Sequence, residues 1–171
     1  VQVFVRRNGR IEALPGSPAD CEIADFFATG ETTVSGTRTG SYPDTFSNNA
    51  VYESIRESVT GGPVNQRVSF LEHKWTFSLT GTGSSLTLNL NAYRTSSSDN
   101  DNFAFAYSTD NVNFTTVVTV TQTTDNNVYL TGALPANLTG TVWIRVVDTD
   151  RTPGRRIRDR IFVDHMYLRR Q

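Results

Sequence analysis

The chain has 171 residues, of which 37% are hydrophobic, 19% charged and 11% aromatic, and its formal net charge is −1. This length fits one domain able to bury a core without disulfide staples. The near-neutral balance excludes a global electrostatic pull toward nucleic acid, and no recognition helix, zinc finger or RNA-binding aromatic motif accompanies it. No stretch approaches the roughly 20 apolar residues of a membrane span, so no membrane insertion is expected. Cys21 is the only cysteine, which rules out an intramolecular disulfide and a cysteine-based zinc cluster. The Thr-, Ser- and Asn-rich composition fits a secreted β protein, and a start at Val1 is that of a mature form or excised module.

Taken in chain order, Val1–Val5 alternates and is followed by Asn8-Gly9, a strong type I′ hairpin signal. Residues 1–14 therefore read as strand–turn–strand, and Pro15-Gly16-Ser17-Pro18 as a linker. The boundaries expected are an N-terminal extension over 1–20 and a folded domain over 21–171. The stretch 31–42 alternates Thr and Val with Ser and Gly, as a strand solvated on one side. The stretch 49–59 is ambiguous between helix and strand, but its β-branched content and the Gly61-Gly62-Pro63 stop favour a strand.

The stretch 68–80 reads as one long strand with Leu71, His73, Trp75, Phe77 and Leu79 on one face. Next, Leu86, Leu88 and Leu90 face inward while Thr87, Asn89, Asn91 and Tyr93 face outward. A hairpin follows, with Phe103, Phe105 and Tyr107 on one face, a turn at Ser108–Asn111, and Phe114, Val118 and Val120 resuming the alternation. Further on, Val142, Ile144 and Val146 oppose Trp143 and Arg145. In the last strand Phe162, Met166 and Leu168 oppose Val163, His165 and Tyr167. Short strands broken by Gly, Asn and Pro predict an all-β fold, a two-sheet antiparallel β-sandwich of eight to ten strands with jelly-roll wiring.

Four groups of residues are candidates for chemistry. Acid-rich loops come first: Asp99, Asp101, Asp148, Asp150 and Asp164 are candidate calcium ligands, since Ca²⁺ gathers six to eight oxygens from several loops. Asp164 shares the parity of Phe162 and Met166, and an inward carboxylate requires a cation or an arginine. Asp in turns and pairing with nearby arginines account for the same acids. Second, Arg151, Arg155 and Arg156 lead a local basic patch suited to carboxylates or sulfates, or else a solvated loop balanced by its own acids. Third, Tyr93 and Trp143, each near an arginine, are candidate sugar-stacking platforms, although two-faced burial explains such rings too. Fourth, catalysis finds little support. His73 and His165 sit mid-strand, and Glu53 and Glu57 would lie about 13–14 Å apart on one strand face, too far for glycosidase geometry.

Three segments, 69–77, 99–115 and 141–169, together resemble an all-β module common toward the C-termini of secreted bacterial multidomain proteins. That resemblance covers residues 25–170 and implies a non-catalytic, extracellular, jelly-roll-like module. By analogy with carbohydrate-binding modules it also implies a bound calcium. It carries no established set of binding residues.

The function expected is thus a non-catalytic extracellular module for binding or adhesion, with polysaccharide or a cell-surface glycan as partner. A self-assembling filament or sheath subunit is the alternative, in which Val1, Val3 and Val5 would complete the sheet of a neighbouring copy.

Overall fold

The computed structural model describes the backbone of residues 4–7 and 10–13, and residues 23–98, 101–154 and 157–171 in full. Two antiparallel sheets face each other. One contains β4 (Ala28–Ser35), β9 (Glu72–Leu79), β11 (Phe103–Ser108), β12 (Thr115–Val120) and β14 (Gly140–Asp148), in the order β12-β11-β14-β9-β4. The other contains β5 (Thr37–Thr39), β6 (Glu53–Arg56), β10 (Leu86–Arg94), β13 (Leu130–Leu134) and β15 (Arg160–Arg170), in the order β13-β10-β15-β6-β5. To the second sheet β3 (Ala24–Phe26) adds a short pairing with β15, making six strands against five, more than the eight to ten expected. Most connections cross from one sheet to the other, which is jelly-roll wiring. A small pair, β7 (Ser58–Val59) and β8 (Ser69–Phe70), lies beside them.

Alternation places the core. Trp75, Phe77 and Leu79 on β9, Leu86, Leu88 and Leu90 on β10, Phe103 and Phe105 on β11, and Val142, Ile144 and Val146 on β14 are all buried between the sheets. Each points inward because successive strand residues alternate faces. Val118 and Val120 join them, whereas Phe114 precedes β12 and lies on the outside, its ring 4.0 Å from the Arg145 guanidinium.

The stretch 31–42 is not one strand. Gly36 divides it, with β4 in one sheet and β5 in the other. At φ +102°, with a Cβ that would meet the Arg56 carbonyl oxygen at 2.8 Å, Gly36 occupies a corner no larger residue fits.

β15 departs from simple alternation as well. Its register with β10 shifts at Asn91/Ala92, opposite Asp164, so Ile161 and Val163 face inward before the bulge and Met166 and Leu168 after it. Phe162 therefore faces outward with His165 and Tyr167, contrary to the expected pairing with Met166. One extra residue in a strand reverses every side chain beyond it.

At the N-terminus β1 (Phe4–Arg7) and β2 (Arg10–Ala13) form their own antiparallel hairpin, as the Asn8-Gly9 signal predicts, with Val5 opposite Glu12. Val1 and Val3 lie outside the described residues. No helix among the described residues is long and apolar enough to cross a membrane.

Candidate functional site

The outer face of the β13-β10-β15-β6-β5 sheet carries a band of half-exposed rings along β15. Tyr93 on β10 and Phe162 on β15 are cross-strand partners whose rings stack at 4.7 Å with a 7° interplanar angle. Tyr52, just before β6, stands edge-on to both, at 5.5 and 6.0 Å, and its hydroxyl donates to Asp125 at 2.8 Å. Farther along, His165 and Tyr167 lie 4.9 Å apart, with Tyr129 packed edge-on to each and Phe27 beside them. Arg160 and Arg169 approach the two ends of the row, over Phe162 and Tyr167 respectively. At 3.3 Å per residue the row from Phe162 to Arg169 spans about 23 Å.

Among the predicted ligand-binding residues, Tyr93 belongs to this band. Trp143 lies on the outer face of the opposite sheet, between Thr76 and Ser108, so the two predicted platforms do not converge. Arg151 turns back on its own strand, donating from Nε and Nη2 to Asp148 at 3.2 and 3.1 Å. Arg155 and Arg156 lie outside the described residues. Arg158 of the same loop, with Arg67, Val59 and Thr60, lines an open recess of about 420 Å³.

Acidic groups gather at one end of the sandwich, in a different combination from the expected one. Glu57, Asp101 and Asp159 are all buried, and one carboxylate oxygen from each lies within 4.8 Å of the others. The opposite oxygen of each is engaged. Glu57 Oε2 accepts from the Asp159 amide at 2.7 Å, and Asp159 Oδ1 from the Thr95 hydroxyl at 2.8 Å. Asp101 Oδ1 accepts from the amides of Thr149 and Asp150 and from the Thr149 hydroxyl. Glu57 Oε1, Asp101 Oδ2 and Asp159 Oδ2 are left buried without hydrogen-bond partners. Burial, with the charges of Asp101 and Asp148 beside it, pushes the Glu57 carboxyl up to about 9. Burial raises Asp101 also.

Of the predicted calcium ligands, Asp101 thus belongs to this cluster. Asp148 sits nearby, accepting from the Leu71 amide at 2.7 Å and from Arg151. Asp150 accepts from the Thr152 amide at 2.8 Å. Asp164 stands apart: its Oδ1 takes the amides of Asn49 and Ala50 at 3.2 and 3.0 Å, fastening the 47–51 loop onto the bulge. The inward acid therefore finds backbone N–H donors. Asp99 lies outside the described residues. Glu57 and Asp159 were not among the predicted ligands. The signal for Glu57 was present, because it shares strand parity with the apolar Ile55 and so had to face inward.

A second polar cluster lies inside the sandwich near its β4–β5 edge. Glu31 on β4, Glu53 on β6 and His73 on β9 each offer one ligand atom within 4.8 Å of the others. The predicted inward face of β9 holds, but His73 meets carboxylates there. Burial lowers the His73 imidazole to about 4. Burial, followed by the adjacent Glu53, raises Glu31 to about 7, and burial raises Glu53.

No family model and no curated protein matches the chain. Solved structures similar to it include the carbohydrate-binding module TmCBM61 in complex with β-1,4-galactotriose, at 14% identity and a TM-score of 0.49, covering 82% of this chain and 87% of that one. A truncated AlyQ with CBM32 and alginate lyase domains is 14% identical with a TM-score of 0.49, covering 86% of this chain and 33% of that one. A family 29 carbohydrate-binding module mutant complexed with mannohexaose is 13% identical with a TM-score of 0.42, covering 88% and 93%.

Proposed function

We propose that the chain is a non-catalytic carbohydrate-binding module working outside the cell, with its glycan lying along the aromatic band of β15. One observation carries this reading: Tyr52, Tyr93, Phe162, Tyr129, His165 and Tyr167 are neither buried nor scattered, but half-exposed in one row on one sheet face. Ring faces attract the polarised C–H face of a pyranose, and buried apolar area adds to that attraction. Asp125, Asn89 and the flanking arginines supply donors and acceptors for hydroxyls, the mixture of aromatic surface and few polar groups that orients a ligand.

Calcium belongs to the same proposal, at Glu57, Asp101 and Asp159. Three buried carboxylate oxygens converge with only the proton held by Glu57 to offset their charge, and an ion at this point would displace it. An all-oxygen donor set is what a hard cation takes. The ion would tie together the ends of β6, the loop before β11 and the loop before β15, holding the loop end rigid.

Native affinity gels containing a panel of neutral and acidic polysaccharides test the binding reading. Retardation by at least one polysaccharide is expected, and mobility unchanged across the panel would overturn it.

A further inference from the structure

We propose a second metal site, for a first-row transition ion of the Zn²⁺ class, formed by His73 Nε2, Glu53 Oε1 and Glu31 Oε2. Each ligand has its other polar atom already held. Thr33 Oγ1 lies 2.9 Å from His73 Nδ1, so an Nδ1–H donating to that hydroxyl leaves Nε2 bare. The Trp75 indole donates to Glu53 Oε2 at 2.6 Å. Arg38 Nη1 donates to Glu31 Oε1. Such outer partners orient ligands in metal sites and fix the imidazole tautomer.

The three remaining atoms point at one another, with Glu31 close enough to hydrogen-bond both Glu53 and His73. His73 Nε2, Glu53 Oε1 and Glu31 Oε2 are buried with no partner outside the cluster, and both the His73 and Glu53 side chains are 0% exposed. Nε2 stands 3.2 Å from Glu53 Oε1 and 3.4 Å from Glu31 Oε2. Two ligands at 2.0–2.1 Å on a tetrahedral ion are separated by about 3.3 Å, so these spacings suit an ion between them. One imidazole nitrogen and two carboxylates give a donor set for Zn²⁺ or a neighbouring first-row ion, whereas the hard Ca²⁺ takes oxygen donors alone.

The site joins both sheets. Glu31 and His73 come from paired strands β4 and β9, and Glu53 from β6 across the sandwich. An ion here clamps the sheets at the edge where Gly36 turns the chain between them.

The test uses Co²⁺ as probe on chelator-stripped protein, with Zn²⁺ as competitor. One equivalent of Co²⁺ should develop the intense visible absorption of a tetrahedral site, and Zn²⁺ should abolish it. Glu31→Gln, at the half-buried position, and His73→Gln should each weaken Co²⁺ binding at least tenfold, while Glu57→Gln at the acidic cluster leaves it unchanged. If one variant fails to fold by circular dichroism, the other decides. Wild-type protein without this absorption would overturn the site, leaving a cluster that holds only protons. Absorption that survives in whichever of the two variants folds, or disappears in Glu57→Gln, would also overturn it.

Discussion

Glu57 and Asp159 grip each other twice across the end of the sandwich: the Glu57 amide donates to the Asp159 carbonyl at 2.9 Å, and the Asp159 amide donates to Glu57 Oε2 at 2.7 Å. This reciprocal pair holds the two side chains together and leaves an oxygen of each within 4.8 Å of one from Asp101. Added Ca²⁺ should therefore stabilise the fold. At a hundredfold excess over Kd the gain is about 2.7 kcal/mol, which raises Tm by roughly 5–10 °C for a chain of this size. Differential scanning fluorimetry with and without the ion measures it, and Glu57→Gln should lose most of the shift.

Without calcium the same cluster makes stability fall as pH rises. Glu57 ionises near 4.5 in a free chain but is pushed up to about 9 in the fold. Between these values the folded state holds a proton that the unfolded state releases, so this contribution is complete below 4.5 and lost as pH climbs to 9. Glu31 acts with the same sign up to about 7, and His73 with the opposite sign between about 4 and 6.5. Burial raises Glu53 and Asp101 with the same sign, so the fall from pH 7 to 9 is led by Glu57 rather than confined to it. In chelator, Tm should drop across this interval in wild-type protein and drop less in Glu57→Gln. Calcium affinity should rise over the same interval, because binding displaces the proton.

Trp75→Phe keeps an aromatic ring in the core but removes the indole donor to Glu53 Oε2. A buried carboxyl group loses its partner, and the expected cost is about 1–3 kcal/mol. Urea denaturation should show a lower midpoint with an unchanged slope, since the surface exposed on unfolding stays the same.

Gly36→Ala should cost about 1–3 kcal/mol, because a Cβ at φ +102° strains the backbone and meets the Arg56 carbonyl. Gly30→Ala, at a position with open space, provides the comparison and should change stability far less by the same denaturation assay.

The sandwich was legible because long-range order in β9, β10 and β14 repeats a local signal. Every second residue from Leu71 to Leu79 is apolar or aromatic except His73, and all of them are buried. The bulge at Asp164 left no such signal, since an inserted residue changes register without changing composition, and it moved Phe162 to the outer face. The Gly36 corner was hidden in a stretch that alternates on both sides of it. For the sites, parity alone could put Glu53 and Glu57 inward beside Ile55. It could not bring Glu57 to Asp101 and Asp159, or Glu31 to His73, because those meetings depend on strand order across the two sheets.

The proposed glycan-binding face is tested most directly by affinity gel electrophoresis of wild-type protein, Tyr93→Ala, Phe162→Ala and Trp143→Ala with a polysaccharide that retards the wild type. Tyr93 and Phe162 stack in the β15 band, while Trp143 lies on the opposite sheet. Removing either stacked ring should weaken binding at least tenfold, about 1.4 kcal/mol, and Trp143→Ala should bind as the wild type does. Unchanged retardation of Tyr93→Ala and Phe162→Ala, or loss of binding only in Trp143→Ala, would contradict carbohydrate recognition by this face.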